Sequence, residues 1–268
     1  MTGTQDGGGR LRQAAMAMDT VRAHEYAERW EGQQQRYAIA REERAGVIAD
    51  VVEHVTAGRE RPLVIDLGCG PGTLTARLAA GLPGVEFVGV DRDPVVLGLA
   101  RECHGSAVRF AEAAIGAEGW TAGLGLDRPA DAVVSTTTLH CLPEPLLRRA
   151  YRQLGGLLRP GGVLVNGDHF APEATGPGEI SARIGRLRAE RQRAFDHEDW
   201  DQWWNAVAGD PAFADLVAER RRRAATVPST KDSNLPLSHH VRLLRAAGFG
   251  QAGSVWQCGG SHVLVAVA

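Results

Sequence analysis

The run Asp66-Leu67-Gly68-Cys69-Gly70-Pro71-Gly72 sets alternate glycines behind an acidic residue, and the apolar segment Pro62-Leu63-Val64-Ile65 leads into it. Glycines let backbone amides approach a ligand closely, and a helix opening behind them offers a partial positive charge. A second acidic strand end, Asp91, follows about 20 residues on, where a carboxylate can accept hydrogen bonds from both hydroxyls of a ribose. The pair specifies a nucleoside-containing ligand. The third glycine comes one residue early for the dinucleotide pattern G-x-G-x-x-G, which counts against a nicotinamide ligand.

His140 and the pair Asp168-His169 each follow an apolar run, at the strand ends where ligands of open α/β sheets collect. A histidine titrates near neutrality and suits proton removal from a hydroxyl or amine, so His140 and His169 are the candidate bases. His140 also reads as a wall of the ligand pocket, and His169 as a structural hydrogen bond into the next loop. Cys141 beside His140 and Cys103 beside His104 do not reach the three or four ligands of a zinc site, and no metal is expected. Trp200, Trp203 and Trp204 fall in a helical stretch, with Trp200 and Trp204 on one face. They read either as the core of a cap or as the lining of an apolar substrate chamber. His239-His240 reads as a cap or surface pair, and Arg220 to Arg223 as a solvated helix end.

These residues need a scaffold, and the alternation of patterns supplies one. Two helices are expected between Val21 and Val55, broken near Gly32, with Tyr26, Trp30, Tyr37, Ala40, Val47 and Val51 on one stripe. Strands are expected over Pro62 to Leu67, Val85 to Val90, Ala107 to Ala111, Ala130 to Ser135 and Val163 to Asn166. Helices fall between them at Leu74 to Leu82, Pro94 to Arg101 and Glu144 to Leu158, the last closed by Arg159-Pro160-Gly161-Gly162. This order predicts a doubly wound parallel sheet with right-handed crossovers. A helical stretch from Glu179 to Arg223 reads as an insertion. A helix over Ser238 to Ala247 and two strands, Ser254 to Gln257 and His262 to Val267, joined through Gly259-Gly260, end the chain.

At the glycine run the chain resembles the class I S-adenosylmethionine (SAM)-dependent methyltransferases: Val64 to Gly72 is similar to their first motif and Phe87-Val88-Gly89-Val90-Asp91 to their second. Asp131 to His140 is similar to their fourth strand, and Leu157 to Val165 to the turn into their fifth. The resemblance implies a Rossmann-like seven-stranded sheet of order 3-2-1-4-5-7-6 with strand 7 antiparallel, and SAM as cofactor with S-adenosylhomocysteine as product. It further implies that Gly68, Cys69, Gly70 and Gly72 pack against SAM, that Asp66 organises its amino-acid end, and that Asp91 holds its ribose. Arg92, Ala113, Ala114, Thr136 and Tyr26 would complete the cofactor pocket. Ala114 stands where the family usually places an acidic residue against adenine, so that contact falls to Glu112 or to packing against Trp120. Trp30, Trp200, Trp203, Trp204 and Asp168 would line the substrate site.

The chain has 268 residues, 44% hydrophobic and 23% charged, a composition that buries a core. Its formal charge of −2, with a single lysine, Lys231, argues against a nucleic-acid partner. No apolar stretch reaches the roughly 20 residues of a membrane helix, and scattered cysteines fit a reduced cytoplasm. The expected organisation is a disordered tail over 1–17, cap helices over 18–58, a SAM-binding core over 59–170, a helical substrate cap over 171–236, and the end of the core sheet over 237–268. The expected activity is methyl transfer to an oxygen or nitrogen of a small molecule, such as a specialised metabolite, by a monomer or homodimer. Non-methylating chemistry on the same fold, a SAM-binding module without chemistry, and a dinucleotide oxidoreductase are the alternatives.

Overall fold

Short apolar runs rich in Val, Ile and Leu become strands covered on both faces, as parallel sheets require. The computed structural model describes residues 18–173, 177–224, 233 and 235–268, and the tail expected over 1–17 lies outside them. Strands β1 (Leu63–Leu67), β2 (Glu86–Asp91), β3 (Arg109–Glu112), β4 (Ala130–Thr136), β5 (Leu158–His169), β6 (Gln251–Cys258) and β7 (Ser261–Val267) form one sheet. Its order is β3-β2-β1-β4-β5-β7-β6, the order the resemblance implies. β1 to β5 pair in parallel, and β7 runs antiparallel to both β5 and β6. The Arg159 to Gly162 segment, expected as a turn, is the start of β5, with a register shift opposite Ala130 and Ala132.

Period-two alternation sorts the strand side chains onto two layers. Helices α2 (Arg41–Thr56) and α3 (Thr73–Gly81) cover Val64, Phe87, Ala132, Val134 and Val165 with Ile48, Val52, Leu74 and Leu78. Helices α5 (Glu144–Leu157) and α9 (Leu237–Ala246) cover Ile65, Leu67, Val133 and Leu164 with Leu147, Tyr151, Leu154, Leu243 and Leu244. Between β2 and β3 runs α4 (Pro94–His104), opened by Asp93 as N-cap and by Pro94 at a position that needs no N–H.

A third apolar cluster joins the first helix and α4 to the insertion. Helix α1 (Thr20–Gln34) brings Ala23 and Tyr26 onto Val95, Val96 and Leu99 of α4. Helices α7 (Trp200–Gly209) and α8 (Ala214–Ala224) add Trp203, Val207 and Val217 from above. The stretch expected to be helical from Glu179 to Arg223 is thus three helices, beginning with α6 (Gly178–Arg191). Arg193 in the left-handed region and the Asp199 capping box interrupt it. Likewise α1 continues past Gly32 and stops at Gln34, because Gly32 is where the helix meets His197: a Cβ there would come 3.1 Å from the His197 Nδ1.

Trp203 is fully buried, and its indole donates to the Tyr26 carbonyl at 3.1 Å. Trp203→Ala is therefore expected to cost about 3–5 kcal/mol of stability. Trp200, 40% exposed, is expected to cost well under half of that as alanine. Denaturant unfolding of both variants checks the difference, and equal losses would contradict a cap held by Trp203.

Candidate active site

The carboxyl ends of β1, β2, β4 and β5 lie side by side, and Asp66, Asp91 and Asp168 sit on three of them, while Glu112 ends β3. After β1 the chain turns through Gly68, Gly70 and Gly72, with φ of +67°, +55° and +83°. The turn is pinned by Gly68 N–H donating to the Val90 carbonyl at 2.7 Å and Gly70 N–H donating to Asp91 Oδ2 at 3.0 Å. A Cβ on Gly68 would fall 2.2 Å from the Thr138 side chain, and one on Gly72 would fall 2.7 Å from the Phe110 ring. The loop thus needs glycine for its dihedrals and for the close approach of the β3 and β4 sides.

Asp66 is buried beneath this loop, where Oδ2 accepts from the Thr75 hydroxyl at 2.5 Å and Oδ1 has no hydrogen-bond partner among the described residues. Burial raises its pKa to about 7 against the Thr75 bond, with the Asp91 charge adding to the rise. Asp91 is also pushed up by burial, opposed by the N–H groups of Asp93, Gly70 and Arg92 that its carboxylate accepts. An unpaired buried carboxylate oxygen beside a glycine cradle fits the ammonium end of an amino-acid-bearing cofactor. Asp91, fixed in place by backbone amides, fits a ribose diol.

Across the same edge the half-buried His140 pairs with the buried Asp168. The His140 Nδ1–H donates to Asp168 Oδ1 at 2.8 Å, and the backbone N–H groups of His140 and His169 donate to the same carboxylate at 3.3 and 2.9 Å. Burial lowers the His140 pKa, but the Asp168 charge and hydrogen bond outweigh it, lifting it to about 10. Asp168 is correspondingly lowered: its burial is overcome by His140, His169 and Arg44. The His169 ring packs on His140 at a tilt of 47°, with ring centroids 4.2 Å apart. The donors of His140, Asp168 and His169 lie within 4.8 Å of one another, near enough for a cation. The His140 ring and the Asp168 carboxylate are hydrogen-bonded to one another within this set, and Arg44 adds positive charge nearby.

The structure redistributes several expected roles. Asp168, expected to touch substrate, is 1% exposed and spent on His140. Tyr26, expected at the cofactor, lies in the helical layer with its ring against Trp203 and Phe213 and its hydroxyl donating to Asp210. Trp203 belongs to that same layer rather than to a chamber wall. Trp30 does reach the glycine loop: its indole lies 3.5 Å from where a Cβ on Gly70 would be, and it meets the Trp200 ring at a tilt, with centroids 5.2 Å apart. Trp204 sits under the Arg220 guanidinium, 3.7 Å from its ring centroid, and its buried Nε1 has no hydrogen-bond partner among the described residues. Trp120 is core, donating to Gln153.

The Arg220 to Arg223 run is solvated at Arg221 and Arg222, as expected, and paired at its two ends. Arg220 pairs with Asp93 at 2.6 Å and Arg223 with Glu112, so α8 is fastened to the ends of β2 and β3. His240 is no surface residue: buried, it meets the Tyr151 hydroxyl at 2.7 Å and packs on Phe170. Ala113 and Ala114 are half-buried beside Asp91, with Ala113 N–H donating to the Asp91 carbonyl, and the Arg92 side chain is exposed. Thr136 accepts from Arg44 at 2.7 Å. Sequence reasoning missed Arg44, although its place on the inward stripe with Ile48 and Val52, four and eight residues on, is a readable signal.

Because the folded-state pKa of Asp66 stands above its unfolded value, the stability it lends is present in acid and is lost as pH rises from about 4 through about 7. Asp66→Asn is expected to raise the melting temperature at pH 8 relative to wild type and to change it little at pH 5. Thermal unfolding of both proteins at the two pH values checks this, and a difference independent of pH would contradict the buried, raised carboxyl.

A family model described as a methyltransferase domain matches residues 65–164. A trans-aconitate 2-methyltransferase of Methylobacterium radiotolerans is 38% identical over 191 residues, 70% of this chain and 63% of that relative. A carboxy-S-adenosyl-L-methionine synthase of Chromohalobacter salexigens is 30% identical over 221 residues, 79% of this chain and 68% of that protein. In fold, the chain is similar to an O-methyltransferase family protein from Burkholderia thailandensis, with a TM-score of 0.53, 19% identity, and coverage of 83% of this chain and 55% of that one. With the glycine cradle, the two strand-end aspartates and the sheet order in place, the chain belongs to the class I SAM-dependent methyltransferases, whose cofactor is SAM.

Proposed function

We propose that this chain moves the methyl group of SAM onto an oxygen of a small-molecule acceptor, leaving S-adenosylhomocysteine. The observation that carries this reading is the His140–Asp168 pair, joined to the glycine loop through Thr138, whose hydroxyl donates to the Gly68 carbonyl at 3.2 Å. Bound SAM supplies a methyl group already activated by its sulfonium. The work left to the chain is alignment and charge.

Asp66 offers its unpaired oxygen to the amino group of the methionyl end, while Gly68, Cys69, Gly70 and Gly72 hold the loop against the cofactor. Asp91 accepts from the ribose hydroxyls. Arg92, Ala113 and Ala114 form the adenine side through backbone and packing, since Glu112 is engaged by Arg223. Trp30 closes over Gly70, with Trp200 and Trp204 beside it as the apolar wall facing the acceptor. His140, held cationic by Asp168, complements a negative acceptor oxygen and repels an ammonium, which favours oxygen over nitrogen. His169, more open to solvent than its neighbour, is the group left to take a proton where the acceptor is a hydroxyl. The relative named for trans-aconitate, an organic acid, supports an oxygen acceptor.

A second reading, chemistry on SAM other than methyl transfer, is favoured by the relative named for carboxy-S-adenosyl-L-methionine synthesis. Turnover that releases no S-adenosylhomocysteine would select it.

With trans-aconitate as the first acceptor tried, kcat/KM is expected to hold from pH 7 to about 10, the pKa of His140, and to fall above it as that proton is lost. Asp168→Asn removes the charge that lifts His140, so the fall moves below neutrality and kcat/KM at pH 8 drops by about 10²-fold. A wild-type profile that climbs toward pH 10 would instead make His140 a base and defeat the cationic role.

A further inference from the structure

Thr137 follows the last residue of β4 with a φ of +49°, in the left-handed region. Ala40, Arg61 and Arg193 share that region, and among the described residues Thr137 is the one with a branched Cβ there. A branched side chain crowds the backbone in this conformation, which glycine adopts freely. Such a residue stays in place only when its surroundings hold it, and positions of this kind concentrate at functional sites.

The surroundings of Thr137 come from several elements. Its N–H donates to the Gly167 carbonyl of β5 at 3.1 Å. Its hydroxyl donates to Gln34 Oε1 at 3.3 Å, and Gln34 is the last residue of α1, 6% exposed. Just before the turn, the Thr136 hydroxyl accepts from Arg44 at 2.7 Å. Of the two bonds made by Thr137, only the one to Gln34 needs a side chain, and a glycine could not make it.

Beyond the turn the chain divides its contacts between the two halves of the site. The Thr138 hydroxyl makes no cap on the short helix Leu139–Cys141 and lies instead 3.2 Å from the Gly68 carbonyl. Two residues later the His140 ring and its backbone N–H both reach Asp168, at 2.8 and 3.3 Å. Thr137 is thus where the chain leaves β4 to touch first the glycine loop and then the acid on β5. Helix α1 meets the same edge twice, because Trp30, one turn before Gln34, lies against Gly70.

We infer that Thr137 is a positioning residue, held in its left-handed turn by Gln34, and that this pair sets His140 at the Asp168 carboxylate. The inference rests on the reading of His140 as the group that faces the acceptor oxygen. Thr137 and Gln34 act through that ring and touch neither cofactor nor acceptor.

The full chain is compared with Thr137→Val, which keeps the branch and loses the donor, with Gln34→Leu, which loses the acceptor, and with their combination. Thr137→Ser keeps the donor and serves as the rescue. One readout is the ring proton that His140 shares with Asp168, followed by NMR on protein labelled at the histidine nitrogens and assigned by its absence from His140→Gln. The other is kcat and KM with SAM and trans-aconitate. Thr137→Val and Gln34→Leu are each expected to speed exchange of that proton with water and to lower kcat by about 10-fold, with KM for SAM unchanged. The double variant is expected to be no worse than either single one, because the two residues make one bond. Thr137→Ser is expected to keep the wild-type proton signal and kcat. A wild-type signal and kcat in Thr137→Val and Gln34→Leu overturn the inference, as do losses confined to melting temperature or losses that multiply in the double variant. A wild-type chain that methylates no acceptor sinks the methyl-transfer reading instead, and the ring proton still decides the role of Thr137. Should Thr137→Val fail to fold, Gln34→Leu set against Thr137→Ser makes the same comparison.

Discussion

Parallel pairing with right-handed crossovers sends the end of β1, β2, β4 and β5 to one edge of the sheet, and the chemistry of the molecule depends on that edge. Asp66, Asp91, Thr136 and Asp168 come from segments separated by tens of residues, yet each is a strand's last or near-last residue. Backbone carbonyls and amides freed where the ladders stop then hold the turns. Val90 accepts from Gly68 and Cys69, and the Gly167 carbonyl accepts from Thr137. The glycine loop can lie flat over this edge because nothing larger than hydrogen at Gly68 and Gly72 would clear Thr138 and Phe110.

Charge is distributed along the edge unevenly. On the β1–β2 side burial raises Asp66 and Asp91, and Arg41 offsets the rise of Asp66 only in part. That environment waits for hydrogen-bond donors and an ammonium. On the β4–β5 side the single carboxylate of Asp168 faces both His140 and Arg44, leaving an excess of positive charge. A sulfonium donor with an amino-acid tail and an anionic acceptor would be drawn to opposite halves, with the methyl group between them.

The cap is tied to the core at the cofactor edge and not only by apolar packing. Tyr26, Trp203, Phe213 and Val217 form its interior with α4, while Arg220 and Arg223 pair with Asp93 and Glu112 next to Asp91. Exposed pairs of this kind add little stability. Their consequence is geometric: they hold α8 against the ends of β2 and β3 and place the Trp204 ring beneath Arg220.

Strand order, glycine cradle and strand-end acids were legible in the chain itself, because period-two apolar runs, glycine spacing and the acid that ends each run are local patterns. Asp66, Asp91, His140 and Asp168-His169 were all found that way. Their partnerships were not legible. That Asp168 holds His140 rather than substrate depends on β4 and β5 pairing at Ser135 and Asn166, which brings residues 28 apart in sequence within 2.8 Å. That Tyr26 and Trp203 pack into the helical layer, and that Arg44 is buried against the Thr136 and Ser261 hydroxyls with Asp168 as its opposing charge, followed only once α1, α2 and α7 had docked. An amphipathic stripe tells which residues turn inward, but a side chain's charge state and partner are set by whatever other elements bring to the same few ångströms, and that is decided in three dimensions.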